Sequence, residues 1–285
     1  MGEAKQKGNR AKDIAYAKSK FCIYCGGGRV ADTVDHCPPR SLFVGRQWPE
    51  GFVFPACKAC NSLASDSERV AGFLTRIYSA GPLADHEADL KRYLADFRKR
   101  FPKEMDEFVN VPSARKRKFA KDFNYKLSPG ELYRDIPIVL IPKNWIGLLK
   151  AFGVKLTKGI HFHETGRIAP PTACVYCAVV PNATEMKTPF APEIFSRMGR
   201  SYEIVRANKD LSKQFGYLSE RTVDGAVAIY VYQFGYSFKL ICLYGEDESL
   251  VKNTGEALQA LATSGVTPSP TQSGDGISEI DPKLL

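Results

Sequence analysis

Two C-x-x-C pairs, Cys22-Ile23-Tyr24-Cys25 and Cys57-Lys58-Ala59-Cys60, are separated by 31 residues and constrain this chain more than any other feature. Four thiolates at that spacing suit a closed tetrahedral zinc site, with the first pair on a turn and the second at a helix N-terminus. The helix end also favours thiolate charge. The plain alternative is four buried free cysteines, which rarely pair so regularly. A closed four-cysteine site offers no open coordination position, so zinc would staple the fold here and any chemistry must lie elsewhere.

Between the pairs runs Thr33-Val34-Asp35-His36-Cys37-Pro38-Pro39-Arg40, and Asn61 directly follows the second pair. As strand neighbours, Asp35 and His36 send their side chains to opposite faces unless the strand ends there, as Pro38-Pro39 would make it do. At such an end both could line one cleft. The order C-x2-C, D-H followed by prolines, then C-x2-C-N opening a helix resembles the HNH nuclease family, with its ββα-metal core. The resemblance covers Cys22 to Glu68.

That resemblance implies a general base at His36 and one divalent ion, Mg²⁺ or Mn²⁺, held by Asp35 and Asn61. A neutral imidazole can accept a proton at cellular pH, and a carboxylate with an amide oxygen suits a hard cation. The implied reaction is hydrolysis of a nucleic-acid phosphodiester, with DNA expected, leaving a 5′ phosphate and a 3′ hydroxyl. Arg40 is a candidate phosphate contact, and Asp66 or Glu68 could assist the metal. In one respect the chain departs from the family: an asparagine often stands about five residues before the third cysteine, and here that position is Phe52.

The rest of the chain reads as α+β. Residues 1–20 are expected to form a basic arm, with six Lys and Arg against two acidic residues. The zinc unit is assigned to 21–80, with a helical face at Leu63, Val70, Phe73, Leu74 and Ile77. A basic helical segment at 81–125 carries the stripe Leu90, Tyr93, Leu94, Phe97 and Phe101 and the run Arg115, Lys116, Arg117 and Lys118. That run is a candidate backbone-binding surface, consistent with the net charge of +9, although charge runs are often only solvated helix faces. After Pro129-Gly130 come β-prone runs at 136–141, 227–234 and 237–244 and a helix around Trp145 to Phe152, read as a separate α+β domain spanning 126–260. Residues 261–285, rich in Ser, Thr, Gly and Pro, are expected to lack a core and remain disordered.

Two further features invite chemistry. His161 and His163 would share a face if extended, and with Cys174 and Cys177 they could form a second zinc site, although the cysteines sit in an apolar run that suits core packing. Tyr230, Tyr232, Phe234, Tyr236 and Phe238 alternate at period two, a pattern that reads as the buried face of a sheet before it reads as a base-stacking platform. With no apolar signal core and no spanning segment, the chain is expected to be cytoplasmic, with nucleic acid as partner and room for a homodimer or a partner protein. The competing readings are a catalytically silent zinc module binding nucleic acid or protein, and an enzyme whose site is His161, His163 and Glu164.

Overall fold

The computed structural model describes residues 11–77, 83–136, 138–182, 200–201, 204–260 and 266–268. The first half of the expected basic arm and most of the 261–285 tail lie outside these residues. Residues 11–18 form a helix, α1. The cysteine unit follows as an antiparallel pair, β1 (Thr33–His36) and β2 (Val53–Ala56), in the register Thr33 to Ala56 and His36 to Val53. Two helices then run on, α2 (Lys58–Leu63) and α3 (Ser65–Ile77). Val70, Phe73, Leu74 and Ile77 are buried as the periodicity predicts, but Leu63 is exposed, because α2 ends at Ala64 and α3 starts on a new axis.

Helices α4 (Leu83–Arg100), α5 (Pro102–Val109) and α6 (Ser113–Asp122) carry the basic segment. Pro102 occupies the first turn of α5, where its missing N–H costs nothing, and α4 stops just before it at Arg100. After the short strand β3 (Ile138–Leu140) comes α7 (Lys143–Thr165), far longer than the eight-residue segment expected from Trp145 to Phe152. It therefore corrects the extended reading of His161 and His163, which lie on helix. The aromatic alternation there imitates a strand, and a helix buried on most sides shows no polar face to betray its period.

Strands β4 (Cys174–Pro181), β5 (Arg200–Ser201), β8 (Gly216–Arg221), β9 (Val227–Phe234) and β10 (Phe238–Gly245) form an antiparallel sheet in the order β4-β10-β9-β8-β5. A small hairpin, β6 (Val205–Arg206) with β7 (Lys209–Asp210), precedes β8. One face of the sheet, with Cys177, Val179, Tyr230, Tyr232, Phe234, Leu240 and Cys242, packs toward α7. The alternate residues Ala178, Val180, Val231 and Ile241 face Leu258 of α8 (Lys252–Ala260). The period-two aromatic stripe is thus core except at Tyr236, which is exposed in the turn between β9 and β10. Residues 266–268, expected to be unstructured, form β11 and pair with β3.

A single hydrophobic cluster joins Ile23, Phe43 and Phe54 of the cysteine unit, Phe73, Phe97 and Phe108 of the helices, and Tyr230 and Phe234 of the sheet, with α7 between them. Trp145 sits among Phe73, Phe97, Phe101 and Phe108 at ring separations of 5.6, 5.6, 6.1 and 5.3 Å. Gly159 lets α7 approach β1's continuation: an added Cβ there would lie 2.8 Å from the Cys37 sulfur. Among the described residues, no helix is long and apolar enough to cross a membrane.

Candidate metal centre and the groups around it

The four cysteines converge as their spacing predicts. Cys22, Cys25, Cys57 and Cys60 place their sulfur atoms within 4.8 Å of one another, the only group of metal-binding side chains found among the described residues. Zn–S bonds of the usual length put sulfurs about 3.8 Å apart in a tetrahedron, so the cluster is compatible with one zinc ion. Gly26 and Gly27 adopt positive φ (68° and 77°), closing the turn between the first pair and its strand. The second pair opens α2, whose first turn is capped when Lys58 N–H donates to Asp32 Oδ1 (2.7 Å). Burial raises Cys57, but hydrogen bonds from Cys60, Cys22 and Cys25 outweigh it and lower its thiol to about 7, so a thiolate is accessible there at neutral pH.

The structure ties Asn61 to β1, where its amide Nδ2 donates to the Val34 carbonyl (3.3 Å). The amide oxygen is then the group left to serve as a ligand. Asp35 and His36 leave β1 toward different partners. Asp35, 5% exposed, receives the Tyr24 hydroxyl at 2.6 Å and the Lys155 ammonium at 2.8 Å, both on Oδ2. Lys155, from α7, also reaches Glu68 Oε1 at 2.5 Å. Burial works against its charge, but Asp35 and Glu68 hold its pKa above the ordinary lysine value. Burial likewise raises Glu68, to about 7, against the pull of Lys155.

His36 turns to a different group. Arg40 Nη2 lies 2.7 Å from His36 Nε2, and because a guanidinium only donates, Nε2 is the accepting nitrogen. The imidazole meets the Trp48 ring edge-on at 4.6 Å. The loop that presents Arg40 is fastened from below by buried Arg76, which donates to the carbonyls of Ser41, Gly72 and Phe43. Asp66 instead pairs with Arg100 on the surface, at 3.0 Å. At the position of the family's asparagine, Phe52 is buried and packs on the His163 ring at 4.4 Å.

The second candidate zinc site does not assemble. His161 donates or accepts at Nδ1 with the Tyr230 hydroxyl (3.0 Å) and stacks on Tyr244, while His163 lies on Phe52. Cys177 faces Cys242 across the sheet, sulfur to sulfur at 3.3 Å. Glu164 accepts from Ser219 and Arg221, both at 2.7 Å. Burial, with Arg167 and Arg221 nearby, lowers His161 to about 4. A depressed histidine pKa gives stability that is complete above the unfolded value of about 6.5 and is lost as pH falls toward 4. Acidification over that range should therefore cost about 3 kcal/mol through His161, read as the part of a falling urea midpoint that His161→Gln removes, while His163, which burial and Lys18 also lower to about 4, keeps the rest.

In the basic segment Arg115, Arg117 and Lys118 are exposed, whereas Lys116 is half-buried and donates to the Arg134 carbonyl at 2.6 Å. Two groups that hold this region together carry no motif in the sequence: Lys155 and Arg76. A lone lysine in the apolar run Val154-Lys155-Leu156 was the available signal for the first. Compared with known families, curated proteins and solved structures, the chain matches none.

Proposed function

We propose that the chain is a metal-dependent nuclease of the HNH type, hydrolysing phosphodiester bonds of nucleic acid, with DNA as the expected substrate. The observation that carries this reading is the local frame. A four-cysteine cluster joins an antiparallel pair to a helix, and Asn61 in the first turn of that helix is bonded to β1 one residue before Asp35 and His36. Asp35 and Asn61 would hold one Mg²⁺ or Mn²⁺, which supplies charge neutralisation at the phosphate and the leaving 3′ oxygen.

Two features of the donors support this reading. Both contacts to Asp35 fall on Oδ2, and Asn61 spends only its amide N–H. With Glu68 ionised, Asp35, Glu68 and Lys155 together carry net negative charge, so a cation is still attracted. His36 has its acceptor at Nε2, the state a general base needs to take a proton from water. Exposed Arg115, Arg117 and Lys118 would add contacts to the backbone. The test is plasmid nicking: His36→Ala should lower the Mg²⁺- or Mn²⁺-dependent rate by 10²-fold or more, on the order expected for a lost general base, with zinc content and circular dichroism unchanged. Undiminished nicking would refute the role of His36.

One observation favours a second reading, a catalytically silent zinc module. The Asp35 carboxylate is buried and already paired with Lys155. Such a module would bind nucleic acid or protein and cut nothing in any divalent metal.

A further inference from the structure

The β6-β7 hairpin is a short ribbon that stands out between buried Ile204 and Leu211. It and the segment after it are fastened to the strap that joins β1 to β2. The bonds run from Val44 N to Gln214 Oε1 (2.8 Å), Arg206 Nη1 to Trp48 O (3.1 Å), Glu50 N to Val205 O (3.0 Å) and Ala207 N to Glu50 Oε1 (3.0 Å). Arg206 Cζ also lies 3.8 Å from the centre of the Trp48 ring, and the same indole meets His36 edge-on at 4.6 Å. The ribbon comes from the far half of the chain and is held beside the His36 group.

Its register sorts the charges. Arg206 is the cross-strand partner of Lys209, and Val205 of Asp210. Residues directly opposite in an antiparallel pair share a face, so Lys209 stands on the face that Arg206 lays against Trp48, and Asp210 on the other. Like charges in that relation cost stability. Among the described residues no carboxylate forms an ion pair with either. Glu50 spends Oε1 on the turn, and Asp210 accepts from Ser212 N (2.8 Å). The turn adds to the cost, because Ala207 and Asn208 hold positive φ (47° and 63°), which alanine disfavours. The ribbon therefore keeps an uncompensated basic pair on the side of His36, with Lys209 exposed. A phosphate is the anion that an arginine fork and a lysine ammonium both accept.

We propose that the Arg206-Lys209 face of the β6-β7 hairpin is a docking surface for the phosphate backbone of duplex nucleic acid, beside the phosphodiester at His36. This rests on the nuclease reading and deepens it. Lys209 supplies an exposed ammonium, and Arg206, held in place by Trp48, supplies the N–H donors that the Trp48 carbonyl leaves over. A phosphate there relieves the repulsion between the two side chains. Because the hairpin is already fixed to the strap, little further ordering opposes binding. Contacts to the backbone carry no base information, so this surface positions the duplex without selecting a sequence.

The test uses the full zinc-loaded chain and two fluorescein-labelled duplexes of unrelated sequence, without added divalent metal. Lys209→Met changes an exposed side chain, so circular dichroism should match the wild type. It should bind both duplexes about tenfold more weakly, with a salt slope smaller by about one. Lys209→Arg should keep wild-type affinity. Lys252→Met removes the same charge from exposed α8, on the far side of the sheet, and should cost less than about twofold. Wild-type affinity in Lys209→Met, an equal loss in Lys252→Met, or a wild-type chain that binds neither duplex overturns the proposal. Lys209-dependent binding without nicking in Mg²⁺ or Mn²⁺ upholds the surface and defeats the hydrolytic reading. Nicking by Lys209→Met at wild-type affinity does the reverse.

Discussion

Stripping the metal from the four-cysteine site is expected to unfold the cysteine unit and to loosen the core it shares with α7. Structural zinc in small modules contributes roughly 10–16 kcal/mol of apparent binding free energy at neutral pH, comparable to or above the whole stability of an ordinary domain. Here the hairpin that carries the ligands is short, four residues in each strand, and Asp35 is its only interior side chain on β1. It has little of its own to resist unfolding. Cys22 and Cys57 also belong to the same hydrophobic cluster as Phe54, Phe162 and Leu156, so their release opens a seam in the main core. Metal analysis should find one zinc per chain, and Cys57→Ser should lose it. Circular dichroism and urea melts before and after a strong chelator give the size of the loss. A melt unchanged after complete metal removal would show that the cysteines pack as ordinary small core residues.

The second large effect is expected at Lys155. Replacing it with methionine should destabilise the chain by about 3–5 kcal/mol, because removing one partner of a buried ion pair leaves the remaining charge without compensation. The size follows from the geometry: one ammonium, 8% exposed, lies 2.8 Å from Asp35 and 2.5 Å from Glu68. The loss should depend on pH in a definite direction. Burial already raises Glu68 to about 7, and without Lys155 only the raising influences remain, burial and the Asp35 charge. A carboxyl raised above its unfolded value binds its proton more readily in the folded state, so its contribution is present at low pH and is lost as pH rises through the folded value. The deficit of Lys155→Met should thus widen as pH rises above 7 and level off below it, where Glu68 holds its proton with or without Lys155, and Glu68→Gln in the same chain should remove most of that dependence. A deficit that is independent of pH would mean that Lys155 matters for packing alone.

Local signals carried much of this architecture. The C-x-x-C spacing led to the sulfur cluster, and the β-prone run Val227 to Phe234 led to β9 residue for residue. Pairings over long sequence distance left no such trace. Lys155 meets Glu68 across 87 residues and Arg206 meets Trp48 across 158, and neither partner is marked by periodicity or spacing. The two histidines of α7 were misread for a different reason. In a helix covered on most sides, the apolar pattern loses the polar stripe that identifies helical period, and Ile160-His161-Phe162-His163 then looks extended. The direction of the Asp35 side chain was likewise beyond sequence, because it depends on the lysine that α7 brings to it.

The most direct measurement is the number of Mn²⁺ ions bound to the zinc-loaded chain in the presence of duplex DNA, read by electron paramagnetic resonance for the wild type and for Asn61→Ala. A hydrolytic site formed by Asp35 and Asn61 predicts one Mn²⁺ per wild-type chain and its loss or marked weakening in the variant, with zinc retained in both. No Mn²⁺ on the wild type, or equal binding in Asn61→Ala, would contradict it and leave Asp35 as the buried partner of Lys155 in a module that does not cut.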